Sequence, residues 1–472
     1  MTDRTAAQTP APSPGLVIDV EATDLDQHGF GISRWHGWVI VTPDHLPGEK
    51  ARVQLQQRQR SRWRARRLTL LRPSPSRQRP PCILATECGG CTLQHLSATG
   101  QTEWKNKAVW DQLNRIGTIG ASTNRILSND QAALGYRNRA FIPLDRNAEG
   151  RLRLGYYKRG SHRIVNLNRC PVLHPSLDAL IAPLKSDLDA SGWPADHDLL
   201  KAEGLRHLGL RLGVHTGEML ITLVSSHDRL PGLQGLAERW IEQWPMVRGV
   251  TLNLQPKRSN LILGEETQLV AGDDCIRDVF CNQSLMISTT TFYQINTPQA
   301  ERIVSILCEQ LLSECCSGVV IDAYCGIGTI SLPLAAHGFD VVGLELNRDS
   351  VDQANRNAIL NQLEHKCQFE AGDVIDLLAK HLPRCDILVL DPPRKGLDPS
   401  VIATILGCPP QVIAYLSCDP STQARDLKLI LAGQADYAIQ LIQPIDFFPQ
   451  TSHLENLVII KLVDHDGKNS CP

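Results

Sequence analysis

From about Gln299 onward the chain alternates short apolar runs with amphipathic stretches, and this alternation limits the possible folds more than any other feature. Gly318–Asp322 reads as a buried strand, Thr329–His337 as a helix, Asp340–Glu345 as a strand and Asp349–Leu363 as a helix. Further strands are predicted at Asp386–Leu390, Gln411–Ser417 and Leu457–Leu462. Such alternation predicts a parallel sheet covered by helices on both faces.

The first of these strands runs into Asp322-Ala323-Tyr324-Cys325-Gly326-Ile327-Gly328-Thr329. Glycines there let the backbone turn tightly and approach a ligand. In an open α/β sheet, ligands bind beyond the carboxyl ends of the strands. Taken alone, the turn reads equally as a plain strand-to-helix loop. The second strand adds an acid at its end, Glu345, placed for a ribose diol, and Asp373 and Asp391 follow. A strand-end acid after a glycine turn suits an adenosine cofactor. The third glycine of the dinucleotide fingerprint is missing, which favours S-adenosylmethionine.

At 472 residues the chain is long enough for about three domains. Leu16–Leu71 is β-rich with a turn at Pro43–Glu49, which fits a small barrel or a lone sheet. It ends in Arg58, Arg60, Arg62, Arg64, Arg66 and Arg67, with Trp63 among them. Alternate arginines on a strand share a face and suit phosphate, and Trp63 can stack on a base. The alternative is a solvated charged edge. Pro73–Pro81 reads as a linker, and Gln101–Ile116 as a helix with Trp104, Ala108, Leu113 and Ile116 on its apolar face. Basic residues recur at Tyr136–Arg139 and Arg151–Arg163, although the net charge is only −2.

Met1–Gly15 has no apolar core, so it reads as a disordered tail and not as a signal peptide. No apolar run reaches membrane-spanning length. These features predict a cytoplasmic protein with reduced thiols, no membrane and no obligate protein partner. Of the 15 cysteines, Cys308, Cys315, Cys316 and Cys367 read as small buried apolar residues.

Three late stretches carry chemistry. Asp391-Pro392-Pro393-Arg394-Lys395-Gly396 and Ser417-Cys418-Asp419-Pro420 each follow a predicted strand. His453-Leu454-Glu455 precedes one, and reaches the same side if that strand runs antiparallel. A thiol and two carboxylates would then meet near the cofactor. Such a set suits methylation at C5 of uracil, a carbon too weakly nucleophilic to react unaided. A thiolate adding to C6 makes C5 enolate-like. After transfer a base must remove the C5 proton before the thiol can leave. Cys418 suits the nucleophile and Glu455 the base. Singly, Cys418 reads better as a buried inert thiol and Glu455 as a surface carboxylate.

Together these motifs, with Phe292-Tyr293-Gln294-Ile295-Asn296, Leu416 and Asn456, resemble the RNA uracil-5-methyltransferase family, most closely its iron–sulfur 23S rRNA branch. The resemblance covers nearly the whole chain. It implies a Rossmann-like class I methyltransferase domain over 286–466, an N-terminal TRAM barrel of OB-like form over 14–73, and a central α+β iron–sulfur domain over 74–285. It further implies that the helix near 101–116 packs on the catalytic domain. By the same resemblance Gln294, Tyr324, Thr329, Glu345, Asp373 and Asp391 contact S-adenosylmethionine or its surroundings. Cys418 is the nucleophile and Glu455 the base. The chain departs from the branch at Tyr324, Thr329 and Asp419, where Phe, Asn and Asn stand.

Cys82, Cys88 and Cys91, spaced Cys-x5-Cys-x2-Cys, read as a metal site. The resemblance adds Cys170 as fourth ligand and selects a [4Fe–4S] cluster, with zinc as the rival for four thiolates. It favours 23S rRNA as substrate, with the tRNA T-loop as the alternative. Amino-group methyltransferases share the Asp-Pro-Pro motif, but there an aromatic residue follows where this chain has Arg394. Cytosine-5 methylation also uses a thiolate, but the surroundings of Cys418 resemble the uracil family. A non-catalytic RNA-binding iron–sulfur protein would not need both Cys418 and Glu455.

Overall fold

The computed structural model describes residues 12–128, 133–314, 317–433 and 436–463. Cys315, Cys316 and most of the N-terminal tail lie outside them. Two compact units are present, one running to Glu103 and including Phe448–His453, the other holding Trp104–Phe447 and the residues from Leu454 onward.

In the first unit β1 (Val17–Leu25), β2 (Gly31–Trp35), β3 (Trp38–Thr42), β4 (Lys50–Gln59) and β5 (Arg62–Arg72) close into an OB-like barrel, ordered β1-β2-β3-β5-β4. Closure removes the exposed edges a lone sheet would have. Its core gathers Ile18, Val20, Ile40, Val53, Leu55 and Trp63. Along β5, Trp63 and Ala65 point inward while Arg62 and Arg66 are exposed and Arg64 is half-buried. The expectation that Trp63 stacks on a base is therefore corrected. Strand side chains alternate between faces, so turning the arginines outward turns the residues between them inward.

Pro73–Pro81 is not a loose linker either. Arg77 donates to Glu49 at 2.5 and 2.8 Å and to Asp44 at 3.3 Å. Burial alone would raise the Glu49 carboxyl. Hydrogen bonds from Arg77 and from the amides of Leu46 and Ser74 outweigh it and hold the carboxyl lower.

The helix α1 runs Ala98–Arg115. Its buried stripe holds Gln101, Lys105, Val109 and Leu113, at i, i+4 spacing, with Gly100 and Asp111 also buried, while Ile116, expected on the apolar face, is 37% exposed. Lys105 tolerates burial because it pairs with Asp446 at 2.5 Å. Val109 and Leu113 pack with Ile321, Leu388, Ile413 and Val458 of the catalytic sheet.

Next, β6 (Arg139–Arg146), β7 (Leu152–Leu154), β8 (Leu205–Leu212), β9 (Met219–Ser225), β10 (Val247–Leu254) and β11 (Glu266–Gly272) form a six-stranded sheet, ordered β11-β10-β9-β8-β6-β7. The helices α2 (Pro175–Ala190) and α3 (Leu233–Gln243) interrupt this series. A ribbon, β12 (Cys275–Phe280) with β13 (Gln283–Ser288), follows.

The seven-stranded catalytic sheet is ordered β16-β15-β14-β17-β18-β20-β19. Its strands are β14 (Val319–Ala323), β15 (Asp340–Glu345), β16 (Cys367–Ala371), β17 (Ile387–Leu390), β18 (Val412–Ser417), β19 (Tyr437–Ile445) and β20 (Glu455–Leu462). Strands β14 to β18 are parallel, and β20 is antiparallel to both neighbours, as the arrangement of site residues requires. The helices α4 (Thr297–Glu314), α5 (Ser331–Ala336), α6 (Arg348–Leu360), α7 (Val374–His381), α8 (Pro399–Gly407) and α9 (Pro420–Gly433) alternate with the strands. This is the class I methyltransferase sheet. The order switches between β14 and β17, which is where an open α/β sheet takes its ligand.

Candidate active site

Beyond β14 the chain turns through Tyr324 (φ 71°), Gly326 (φ 56°) and Gly328 (φ 89°). The amides of Tyr324 and Cys325 donate to Leu344 O at 2.8 and 3.1 Å. Glu345, at the end of β15, accepts the Gly326 amide at 3.1 Å and the Asn347 amide at 2.8 Å. It therefore shapes the turn as well as facing it. A Cβ built on Gly326 would meet nothing within 4 Å, so open space lies over this backbone. Asp373 caps α7, accepting from the Ile375 amide at 3.0 Å. The Gln294 carbonyl accepts from Asn138 Nδ2 at 2.8 Å, which anchors its loop. Thr329 is half-buried.

One carboxyl behind the turn, Asp322, is short of a donor among the described residues. Asp322 is fully buried, and its Oδ2 accepts from Ser331 Oγ at 2.5 Å. Its Oδ1 has no hydrogen-bond partner among the described residues. Burial pushes Asp322 up to about 7. Burial, and then the Asp322 charge, push Asp391 up to about 7 as well. Carboxyls with no paired cation among the described residues fit S-adenosylmethionine, whose sulfonium and ammonium groups are both positive.

The chemical groups meet at the ends of β17, β18 and β20. Ser417 pairs with Asn456 in the antiparallel register, so the next pair outward sets Cys418 opposite Glu455. The pairing of β14 with β17 brings Asp391 alongside the end of β14. Burial pushes the Cys418 thiol up to about 11, and Glu455 and Asp391 add to the rise. Arg394 opposes it, chiefly by its charge. Glu455 is buried at 7% exposure. Burial, then Asp391, raise its carboxyl well above the ordinary range, while Arg394 works against them.

Helix α9 braces this cluster. Gln423 donates to Tyr415 O at 2.8 Å and Asn456 O at 3.0 Å, and accepts from Asn456 Nδ2 at 2.7 Å, tying β18 to β20 beside the thiol. Thr422 and Arg425 donate to the carbonyls of Arg394 and Lys395 at 3.3 and 3.0 Å, which fixes the loop carrying Arg394. Gly396 (φ 75°) is required there, since a Cβ would lie 2.4 Å from Asp426 Oδ2. Asp419 accepts from the Ser421 amide at 2.9 Å, as an N-cap does. Asp and Asn are near-equal caps, which accounts for the departure from the family at this position.

Sequence reasoning missed the roles of Arg394, Asp322 and Gln423. Arg394 and Asp322 stand inside the quoted motifs, yet nothing in the string shows that one reaches the thiol or that the other is buried short of a donor. For Gln423 there was no signal.

Cys82, Cys88 and Cys91 lie on a turn-rich segment of the first unit with no helix or regular strand, and Cys170 lies in the second unit. The amide of Cys82 donates to Gln94 Oε1 at 3.0 Å, and the Gly90 amide to Cys88 Sγ at 3.4 Å. None of the four is in a disulfide. Among the described residues no group of three or more Cys, His, Asp or Glu is gathered to hold a metal. No described helix is long and apolar enough to cross a membrane.

The tRNA (uracil-5-)-methyltransferase family model matches residues 266–463. An uncharacterized RNA methyltransferase of Parasynechococcus marenigrum is 57% identical, covering 98% of this chain and 99% of its own. Another, from Synechocystis sp., is 42% identical over 97% of this chain and 98% of its own. Among solved structures, the Pyrococcus abyssi tRNA (uracil-54, C5)-methyltransferase, in complex with S-adenosyl-L-homocysteine, is similar with a TM-score of 0.75 and 27% identity. That match covers 93% of this chain and 99% of the Pyrococcus chain.

Proposed function

The chain belongs to the RNA uracil-5-methyltransferase family and is an S-adenosylmethionine-dependent enzyme, and from that premise we propose that it methylates a uridine of 23S rRNA. The observation that carries the chemical assignment is the opposition of Cys418 and Glu455 across β18 and β20, with Arg394 at the thiol. S-adenosylmethionine supplies an electrophilic methyl group when bound. Arg394 favours the Cys418 thiolate, which adds to C6 and leaves C5 enolate-like. Once C5 carries the methyl, Glu455 takes its proton, the C5–C6 double bond re-forms and the thiolate leaves. Burial suits that base, since a raised carboxylate is a better proton acceptor near neutral pH.

Gln294, Tyr324, Thr329, Glu345, Asp373 and Asp391 are assigned to the cofactor. The open space over Gly326, the donor-poor carboxyl of Asp322 and the raised carboxyl of Asp391 support this. We assign Cys82, Cys88, Cys91 and Cys170 to a [4Fe–4S] cluster, on their spacing and the family resemblance. The chain divides accordingly into an RNA-binding TRAM barrel (14–73), a central domain (74–285) and the catalytic domain (286–466). The cytoplasm, where RNA is modified and thiols stay reduced, is the implied compartment.

The tRNA T-loop is the second reading, favoured by the target of the similar Pyrococcus enzyme, uracil-54 of tRNA. Mapping 5-methyluridine in rRNA and tRNA from cells with and without the gene decides. Loss of one site in 23S rRNA is expected, and loss confined to tRNA would transfer the assignment.

A further inference from the structure

Arg139, at the start of β6, stands opposite Arg211 of β8 in an antiparallel pair. Residues directly opposite share a face, and like charges there repel. Arg211 is 4% exposed, and it donates from Nη2 to Thr291 O at 2.7 Å. Its Nη1 is buried with no acceptor among the described residues. Arg139 is only partly buried, but its Nε is enclosed and likewise has no acceptor there. Its guanidinium lies 4.9 Å from the centre of the Phe141 ring. Arg137 adds a third positive charge nearby. Asp278, the carboxylate bonded to neighbouring Tyr293, is already occupied. It accepts from the Tyr293 hydroxyl and from the amides of Val214 and His215, each at 2.9 Å.

Burial of cations without counter-charge is costly, and here the cost is visible in the groups themselves. Burial first, then Arg137, pull Arg139 down to about 10. Burial first, then Arg139, pull Arg211 well below its ordinary range. The pair also sits at the root of one particular loop. Between Arg137 and Arg139, Asn138 donates to Ile295 O from its amide at 3.0 Å, and to Gln294 O and Thr297 Oγ1 at 2.8 Å each. That loop carries Gln294 and also Phe292, which is 56% exposed.

We propose that Arg139, backed by Arg211, is a phosphate subsite that takes a backbone phosphate of the RNA substrate. A guanidinium fork matches phosphate, and phosphate is the anion that RNA repeats at every nucleotide. The ring of Phe141 packs against the guanidinium, and Arg211 makes the surroundings more positive without reaching solvent. The proposal rests on the reading of the chain as an RNA enzyme, but not on which base it modifies.

The test measures binding of full-length protein to a substrate RNA by fluorescence anisotropy, between about 50 and 300 mM salt. Arg139→Gln should weaken binding about tenfold and reduce the slope of log affinity against log salt by about 0.7, the share of one phosphate on a single strand. S-adenosylhomocysteine affinity, read by calorimetry, should not change. The same slope change is expected with an RNA carrying cytidine at the target position. Failure of uridine methylation with the slope change intact would therefore sink the uracil reading alone. An unchanged slope overturns the phosphate subsite. So does loss of S-adenosylhomocysteine affinity in its place, which would make the anion the cofactor's carboxylate. Should Arg139→Gln not fold, Arg139→Lys decides. It keeps the charge and loses the fork, so the slope should hold while affinity falls severalfold, and unchanged affinity overturns the proposal.

Discussion

Cys418 and Glu455 each stand one step beyond the Ser417–Asn456 pair of β18 and β20, and both feel the charges of Asp391 and Arg394. After burial, Glu455 is the largest influence raising the Cys418 thiol. Burial, Asp391 and Arg394 act on Glu455 in turn. This arrangement assigns the two groups to different steps, and that difference can be measured.

Cys418→Ala should give neither adduct nor product. Glu455→Gln should methylate once and then stall, with RNA still bonded to Cys418 through C6. A denaturing gel with labelled S-adenosylmethionine should show a methylated, slow-moving protein–RNA band for this variant only. Normal turnover in Cys418→Ala removes the nucleophile assignment. Normal turnover in Glu455→Gln without a trapped band passes the base role to Asp391.

Arg394 is expected to act on the thiol directly. With Cys418 pushed up to about 11, alkylation of the free enzyme by iodoacetamide should rise about tenfold per pH unit from neutrality to near pH 10. Arg394→Gln removes the group that favours the thiolate, so its alkylation should be slower at every pH in that range. Equal rates in the two proteins would show that Arg394 does not hold the thiol.

Cofactor binding should release protons. Asp322 and Asp391 both titrate near 7 in the free site, raised by burial. A cationic ligand favours their ionised forms, so it lowers these values. Affinity for S-adenosylmethionine should therefore strengthen from pH 6 to about 8. Calorimetry at pH 7 in buffers of different ionisation enthalpy should report net proton release. Proton uptake, or affinity independent of pH, would remove these carboxyls from the cofactor site.

On the barrel, alternation along β5 gives Arg62, Arg64 and Arg66 one job and Trp63 another. Replacing the three arginines with Ala should weaken RNA binding and lower its salt slope by about 2, at about 0.7 per phosphate. Trp63→Ala should instead cost about 3 kcal/mol or more of stability, read by denaturant unfolding of the chain. An unchanged salt slope in the triple variant would return these arginines to a solvated edge.

Anaerobic purification should yield a brown protein with about four irons and four sulfides per chain, lost on replacing Cys82, Cys88, Cys91 or Cys170 with Ser. One zinc and no sulfide would overturn the cluster.

Much of this was legible in one dimension. Strand alternation gave the parallel sheet because apolar periodicity is local. Cys418, Glu455 and Asp391 stood out because each adjoins a predicted strand end. Two strands of the catalytic sheet were not read. β16, Cys367–Ala371, is short and carries Gln368 and Glu370, and β19, Tyr437–Ile445, is interrupted by Gln440, Gln443 and Pro444. Both lie at edges of the sheet, where burial demands less of the sequence. The face of α1 was misread for a related reason. A lysine on a buried stripe makes sense only beside Asp446, 341 residues away.

The sequence by itself determined the fold class and the family and singled out the candidate reacting groups, because period, strand-end position and motif order survive without coordinates. Tertiary structure alone decided the rest. It turned Trp63 into the barrel core, brought the charge of Arg394 to bear on the thiol, and, among the described residues, left Asp322 short of a donor and set Arg139 against Arg211 without a paired acid. Burial and charge pairing depend on what arrives from distant parts of the chain, and neither leaves a periodic trace in the residues themselves.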